Sequence, residues 1–295
     1  MILRRVVWRA YTSLRRIVWG SPLGRNPFWA DVFVHAGYAL RRWLRLSPKS
    51  NEIAIVHGNR MTFGTASECY NDMVSDAYEP DVTLLLERLI KPGMVVVDAG
   101  AHIGYYTLAA ARLVGPTGKV YAFEPDPANY GVLVENINLN NYRNVLSVQK
   151  AVCDTQGTTS FFLHRDTVAH SLYPTTQGRG KTMINVETTS LDYFFEQAGW
   201  PPVHLIKMDI EGAELAALQG MTKLIERNRA MYLMLEFVPQ ILRSAGVNPD
   251  DLLGRLRGLG FAIKVMKENG LQPLSDKMNK NRGLRAELFC EMSET

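Results

Sequence analysis

The stretch Val95-Val96-Val97-Asp98-Ala99-Gly100-Ala101-His102-Ile103-Gly104-Tyr105-Tyr106-Thr107 decides how the rest of the chain is read. Three consecutive valines suit a strand buried on both faces, as in a parallel sheet. Asp98 falls where that strand ends. Gly100 and Gly104 let the backbone turn sharply and approach a ligand closely, and the residues from Tyr105 onward can continue as a helix. Ligands of open α/β sheets bind beyond the carboxyl ends of the strands, so this turn is a candidate nucleotide site.

Spacing narrows the choice of nucleotide. A dinucleotide fingerprint reads G-x-G-x-x-G, with an acid about twenty residues on that holds a ribose. This chain has G-x-x-x-G, with Asp98 ahead of the first glycine. The next strand, Lys119-Val120-Tyr121-Ala122-Phe123, ends in Glu124-Pro125-Asp126, where the Glu124 carboxylate can accept both ribose hydroxyls. A nicotinamide (NAD)-dependent oxidoreductase is the rival enzyme class, and the missing middle glycine counts against it. A non-catalytic, membrane-associated binding module with the same fold is a third reading. The presence of Asp98, Gly100 and Glu124 together counts against that one.

Outward from this turn, strand and helix patterns alternate. Glu52–Val56 and Arg60–Phe63 flank His57-Gly58-Asn59, a hairpin signal. Asp81 to Ile90 reads as a helix stopped by Lys91-Pro92-Gly93. After the Glu124 strand come a helix from Pro127 to Asn140, a strand from Val145 to Val152 and a short edge strand from Thr158 to Leu163. The run Asn136, Asn138, Asn140 and Asn141 marks the helix end. His164 to Lys181 is polar and reads as a loop. Then follow the strand Leu205–Asp209, a helix from Glu214 to Ile225, the strand Met231–Phe237, a helix from Asp250 to Leu259, and strands Phe261–Met266 and Ala286–Cys290. Such alternation predicts a right-handed, mostly parallel, doubly wound α/β sheet.

The chain has 295 residues and a net charge of +4, unevenly spread. Up to Lys49 there are ten arginines and lysines against Asp31 alone, so the remainder is net acidic and offers no general attraction to nucleic acid. Trp8, Tyr11, Trp19, Phe28, Trp29, Phe33 and Trp43 interleave with those cations. Val6, Val7, Ala10 and Leu14 fall at helical spacing, and a second helical stretch runs from Trp29 to Leu46. Such a segment either packs on the domain or lies on an anionic membrane surface. The domain reading is therefore a basic, aromatic helical extension (1–50) and a main domain (51–295), with hairpin and lead helix at 51–92 and core at 93–295. Cys69, Cys153 and Cys290 lie far apart, which argues against a disulfide framework or a structural zinc and fits a reducing compartment. No apolar run reaches membrane-spanning length. The expected location is cytoplasmic, with peripheral contact at the inner membrane face through residues 1–48.

Several side chains are candidates for chemistry. Leu205, Lys207 and Asp209 share one strand face, and a lysine in an otherwise apolar central strand is costly unless paired. Lys207 and Asp209 either serve the reaction or form an ion pair that orients the turn. Glu211 and Glu214 open the following helix, where the macrodipole favours a carboxylate by about 0.3–1 kcal/mol. His102 lies inside the glycine turn, as a base near neutral pH or as a loop histidine bound to backbone. His164, Asp166 and His170 have loop spacing, and no metal is assigned to them.

The stretch Val95–Thr107, Phe123-Glu124-Pro125, and Ile206-Lys207-Met208-Asp209-Ile210-Glu211-Gly212-Ala213-Glu214 together resemble the FkbM family of methyltransferases. Tyr78-Glu79-Pro80 ahead of Lys91-Pro92-Gly93, and Ser190-Leu191-Asp192, are similar to that family too. The resemblance covers roughly Tyr78 to Phe237. It implies a class I (Rossmann-like) seven-stranded sheet whose last pair is antiparallel, S-adenosylmethionine as methyl donor, and O-methylation of a sugar, glycolipid or small natural product. On that resemblance, Asp98 and the turn Gly100, Ala101, His102 and Gly104 hold the methionine end of the donor. Glu124 and Pro125 hold the ribose, and adenine lies near Ala151 to Asp154. Lys207, Asp209, Glu211 and His102 face a small-molecule or glycan acceptor.

Overall fold

The computed structural model describes residues 53–64, 69–74, 78–164, 167–174, 182–267, 270–274 and 284–292, with Val6, Val7, Ala10, Tyr11, Ser13 and Leu14 ahead of them. The chain divides into two compact units, Met1–Pro80 and Asp81–Thr295.

In the first unit the six early positions are helical, as their spacing predicts. The Trp29–Leu46 helix expected from sequence lies outside the described residues. β1 (Ala54–Val56) and β2 (Asn59–Met61) form the expected antiparallel hairpin. His57 and Gly58 turn it, both at positive φ (46° and 79°), which matches the right-handed twist of the flanking strands. Its alternation is clean: Ala54 and Val56 are buried while Ile55 is exposed. Helix α1 (Tyr70–Val74) follows, and the Phe63 and Tyr70 rings meet edge to face at 4.8 Å.

The second unit is built on β3 (Val95–Ala99), the valine strand. Ahead of it lies α2 (Pro80–Leu89), which begins at the division between the units. After β3 come α3 (Tyr105–Val114), β4 (Lys119–Phe123), α4 (Pro127–Leu139) and β5 (Val145–Val148). Further along are α5 (Leu191–Gln197), β9 (Leu205–Met208), α6 (Glu214–Gln219), α7 (Thr222–Arg227) and β10 (Tyr232–Phe237). α8 (Pro239–Ser244), α9 (Pro249–Gly258), β11 (Phe261–Lys267), β12 (Gly270–Pro273) and β13 (Ala286–Met292) complete the unit. The sheet order is β12-β11-β13-β10-β9-β3-β4-β5. The five strands from β10 to β5 are parallel, and β13 enters antiparallel between β10 and β11. Seven of these strands make the class I sheet, and β12 adds an eighth as a hairpin on β11.

Helices on either side bury the strands on both faces. Val97, Ala99, Ile206, Met208, Leu233 and Leu235 join α5, α6, α7 and α9 in one apolar cluster. The helix ends follow their sequence signals. Asp126 caps α4 with Pro127 at its first position, and Asn248 caps α9 with Pro249 likewise. The asparagine run does end α4, with Asn141 at φ 56°. Asn136, however, is fully buried inside the helix, donating to the Ile103 carbonyl at 2.8 Å and so holding the glycine turn from below.

Three sequence readings are corrected. The strand expected from Val145 to Val152 breaks after Val148, and β6 (Ala151–Val152) leaves for a second, three-stranded sheet of order β6-β8-β7. The expected edge strand is β7 (Gly157–Leu163), paired along its length with β8 (Thr182–Thr189). β8 escaped notice because its five threonine, asparagine and glutamate positions dilute the apolar alternation. The helix expected from Glu214 to Ile225 is two helices. At the break a Cβ on Gly220 would lie 2.3 Å from the Cys153 carbonyl oxygen, so only glycine fits where the chain passes the segment just beyond β6.

Order reverses between β3 and β9, the switch point at which open α/β sheets hold their ligands. Gly100 makes the close crossing there: its φ is +86°, and a Cβ would sit 1.8 Å from the Asp209 carbonyl oxygen. Gly100→Ala is therefore expected to lower unfolding stability by at least the roughly 1–3 kcal/mol of a strained backbone position. Gly131→Ala, on α4 with open space around it, is expected to add about 1 kcal/mol of helix propensity. Urea unfolding of the two variants measures both.

Candidate functional site

The site is assembled from the loops that leave β3, β4 and β9 at their carboxyl ends. Register puts Asp98 of β3 directly beside Lys207 of β9. Both are buried. Thr107, one turn into α3, donates to Asp98 Oδ2 at 2.6 Å. Burial pushes the Asp98 carboxyl up, and Lys207 and Thr107 hold it back. The Lys207 ammonium reaches Asp209 Oδ2 at 3.2 Å and lies 4.5 Å above the Tyr106 ring. The lysine that looked out of place in its strand thus has a carboxylate, an aromatic face and Asp98 nearby.

The turn after β3 folds against β4. The amides of Gly100 and Ala101 both donate to the Phe123 carbonyl, at 3.0 and 2.9 Å. His102, at φ 50°, donates its N–H to Glu124 Oε2 at 2.8 Å, and Asp126 donates its N–H to Oε1 at 2.9 Å. Glu124 is 5 % exposed. Its burial, only partly offset by those two amides, pushes its pKa up to about 8. Each carboxylate oxygen has two acceptor positions, so a group offering two adjacent hydroxyls supplies the donors this buried charge lacks. A ribose fits that description. Pro125 is half-buried, Ala101 is buried and Asp154, just past β6, is exposed.

On the other side of β9, Asp209, Glu211 and Glu236 bring carboxylate oxygens within 4.8 Å of one another. Such a cluster has the donor set for a cation, but Arg285 already enters it. Arg285 bonds Glu236 through Nε and lies 3.6 Å from Glu211 Oε1. Glu211 is strained at φ 49°. Its burial, with Glu236 and Asp209 adding to it against Arg285, pushes its pKa up to about 9. Glu214 is buried at the start of α6, accepts the Gly212 N–H at 3.1 Å, and is raised to about 7 by burial. Its contacts are structural.

The segment read as a plain loop is ordered where described. Thr167–Ala169 forms a 3₁₀ turn, and Ser171 bridges to Phe162 of β7. Thr167 Oγ1 lies 2.9 Å from His102 Nε2, His170 Nε2 lies 3.1 Å from Asp126 Oδ2, and the buried Ser171 hydroxyl donates to the Glu211 carbonyl at 2.5 Å. Burial, then Asp154, Cys153 and Glu214, raise the pKa of Tyr173. His164 gives its backbone N–H to His170, and Asp166 lies outside the described residues. The structure gathers Asp98, Lys207, Asp209 and Glu211 with the turn and Glu124, and gives the His102 ring a partner in Thr167. Sequence reasoning missed Thr167, Ser171 and Arg285, weighed His170 only for a metal, and read Asn136 only as part of a helix end. Glu236 was given no role either, and its place near the carboxyl end of β10 is the signal that could have marked it.

Residues 98–263 match the family described as Methyltransferase FkbM domain, more than half of the chain. Hexuronic acid methyltransferase AglP of Haloferax volcanii is 27 % identical over 236 residues, covering 78 % of this chain and 91 % of that protein. Methyltransferase sdnD of Sordaria araneosa is 30 % identical over 154 residues, covering 42 % and 59 %. Among solved structures, an O-methyltransferase from Thermotoga maritima superposes with a TM-score of 0.44 at 14 % identity, covering 87 % of this chain and 82 % of that one. S-adenosylmethionine as the methyl donor of this family displaces the nicotinamide reading. The chain belongs to the FkbM methyltransferase family and is an S-adenosylmethionine-dependent enzyme.

Proposed function

We propose that this enzyme methylates a hydroxyl of a sugar or a related small-molecule acceptor. The carrying observation is the juxtaposition of Asp209, paired with Lys207 and beside Glu211 and Glu236, with the turn that leads to Glu124. The donor supplies an activated methyl group when bound. Asp98, Gly100, Ala101 and Gly104 would hold its methionine end, Glu124 and Pro125 its ribose, and the Ala151–Asp154 segment its adenine. The chain's own task is then orientation, together with removal of one proton from the acceptor hydroxyl. Asp209 is the base in this reading, aimed by Lys207. Glu211, whose burial favours the protonated form, donates a hydrogen bond to the acceptor. The His102 ring, engaged by Thr167, orients the turn.

The AglP relative is named for hexuronic acid methylation, which makes uronic-acid glycans the first acceptors to test. Labelled S-adenosylmethionine should mark a uronic-acid glycan above neutral glycans and above a blank without acceptor. Label in no glycan overturns the sugar reading and leaves donor binding to be judged by calorimetry with S-adenosylhomocysteine.

Contact with anionic lipid through residues 1–48 belongs to the same proposal. Most of that segment lies outside the described residues, but Val6 and Leu14, two helical turns apart, are exposed. Among the described residues no helix is long and apolar enough to cross a membrane. Full-length protein should float with anionic vesicles at low salt and be released as salt rises, each nearby cation contributing about 1 kcal/mol. A chain starting at Asn51 should remain in solution; equal behaviour of the two removes the lipid contact.

Two substitutions test the assigned roles. Asp209→Asn should cut turnover by about 10²–10⁴-fold, the usual range for a positioned base. Its S-adenosylhomocysteine dissociation constant should stay within a few-fold. For Glu124 the test is pH. Ribose hydroxyls donate to the charged form, whereas the free site holds the proton up to about pH 8. Donor affinity should therefore rise from pH 6 to pH 8, and Glu124→Gln should flatten that rise. Calorimetry across that interval reads both.

A further inference from the structure

The segment Thr167–Tyr173 touches all three loops from which the site is built. Thr167 meets the β3 loop at His102, His170 meets the β4 loop at Asp126, and Ser171 meets the β9 loop at the Glu211 carbonyl. The Ser171 hydroxyl works both ways, since it also accepts the Tyr173 N–H at 3.1 Å. The second sheet anchors the segment's base, with Phe162 and Ser171 exchanging backbone hydrogen bonds of 2.8 and 3.2 Å.

His170 is the fastening made through a side-chain ion pair. Its side chain is 8 % exposed and that of Asp126 6 %. The His164 backbone N–H points at its Nδ1 from 3.0 Å. A backbone amide can only donate, so Nδ1 carries the lone pair and the ring proton sits on Nε2, which donates to Asp126 Oδ2. The Phe161 ring stands edge-on to the imidazole, at 6.1 Å. Asp126 spends its other oxygen on the amides of Ala128 and Asn129, capping α4. Burial alone would raise the Asp126 carboxyl, but His170 and those two amides outweigh it and hold the pKa low. The imidazole therefore joins His164, the residue that follows β7, to the cap of α4 through two directed bonds, and the reaction as assigned above uses neither of its nitrogens.

We infer that His170 is a positioning residue: it pins Thr167–Tyr173 across the β3, β4 and β9 loops, so that donor-side and acceptor-side groups keep one mutual geometry. The inference rests on the donor-site reading above. It is tested in the full-length protein with His170→Leu, which removes both bonds, and His170→Gln, which keeps a donor toward Asp126. Asp126→Asn keeps the oxygen that caps α4 but turns an amide toward Nε2. Two readouts are taken: hydrogen exchange of peptides spanning residues 161–174 without ligand, and calorimetric affinity for S-adenosylhomocysteine. In His170→Leu and Asp126→Asn, exchange should accelerate and the dissociation constant should rise roughly tenfold or more, as for loss of a hydrogen bond to a charged group. His170→Gln should fall between these variants and wild type. Should His170→Leu fail to fold, Asp126→Asn and His170→Gln carry the comparison. Wild-type exchange rates in Asp126→Asn overturn the inference, and so does faster exchange with unchanged affinity. A wild-type protein that binds no S-adenosylhomocysteine overturns the donor-site reading as well, which separates the two failures.

Discussion

An ammonium group inside a central strand is the constraint around which this sheet is arranged. Removing Lys207 from water costs several kcal/mol, and only close partners of opposite charge and good geometry offset it. Asp98 faces it across the β3–β9 register, Asp209 follows it on the same strand, and Tyr106 offers its ring. A one-residue slip of β9 against β3 would turn Lys207 into the apolar cluster of Ile206 and Met208. The register that avoids this also brings the Asp209 carbonyl against Gly100, where only a residue without a side chain fits. Charge pairing, strand register and the glycine of the turn are thus one requirement met three times.

Carboxyl groups are crowded at the same end of the sheet, and the fold bears their cost. Glu124, Glu211 and Glu214 hold their protons up to about 8, 9 and 7, against an ordinary value of 4.5. Over that interval the folded chain binds more protons than the unfolded one, so these groups erode stability as pH rises through it. Asp126 has the opposite sign. Its lowered pKa stabilises the fold above the ordinary carboxylate value, and that contribution is lost as pH falls below it. Burial of this kind is common where groups are tuned for chemistry, and Arg285 restrains it by sitting between Glu211 and Glu236.

The parallel core was legible because its signals are local. Three valines, an acid and two glycines spell a strand, its end and a turn within one stretch. Lys207 and Asp209 announced a shared face through strand periodicity alone. What stayed hidden depends on contacts distant in sequence. Nothing near Asn136 states that its amide will reach the Ile103 carbonyl. The polar segment around His170 gave no periodicity, because its order comes from side chains bonding three separate loops. Arg285 precedes a strand whose position in the sheet only the completed topology defines. β8 hid for a simpler reason: it lies on a small outer sheet, where most of its side chains need not be apolar.

β13 has a consequence for how the molecule comes to be. It is the last strand of the sheet in the chain, yet it lies between β10 and β11, which precede it. A ribosome that has released everything up to β12 holds a sheet with an open seam, its backbone donors and acceptors on β10 unmatched. Such an edge is a template for wrong pairings until the correct strand arrives. The same segment delivers Arg285, so a nascent chain also carries Glu236 without its counter-charge. Closing the seam and neutralising the site are therefore a single late event in biosynthesis, and a chain interrupted before it has neither a closed sheet nor a finished site.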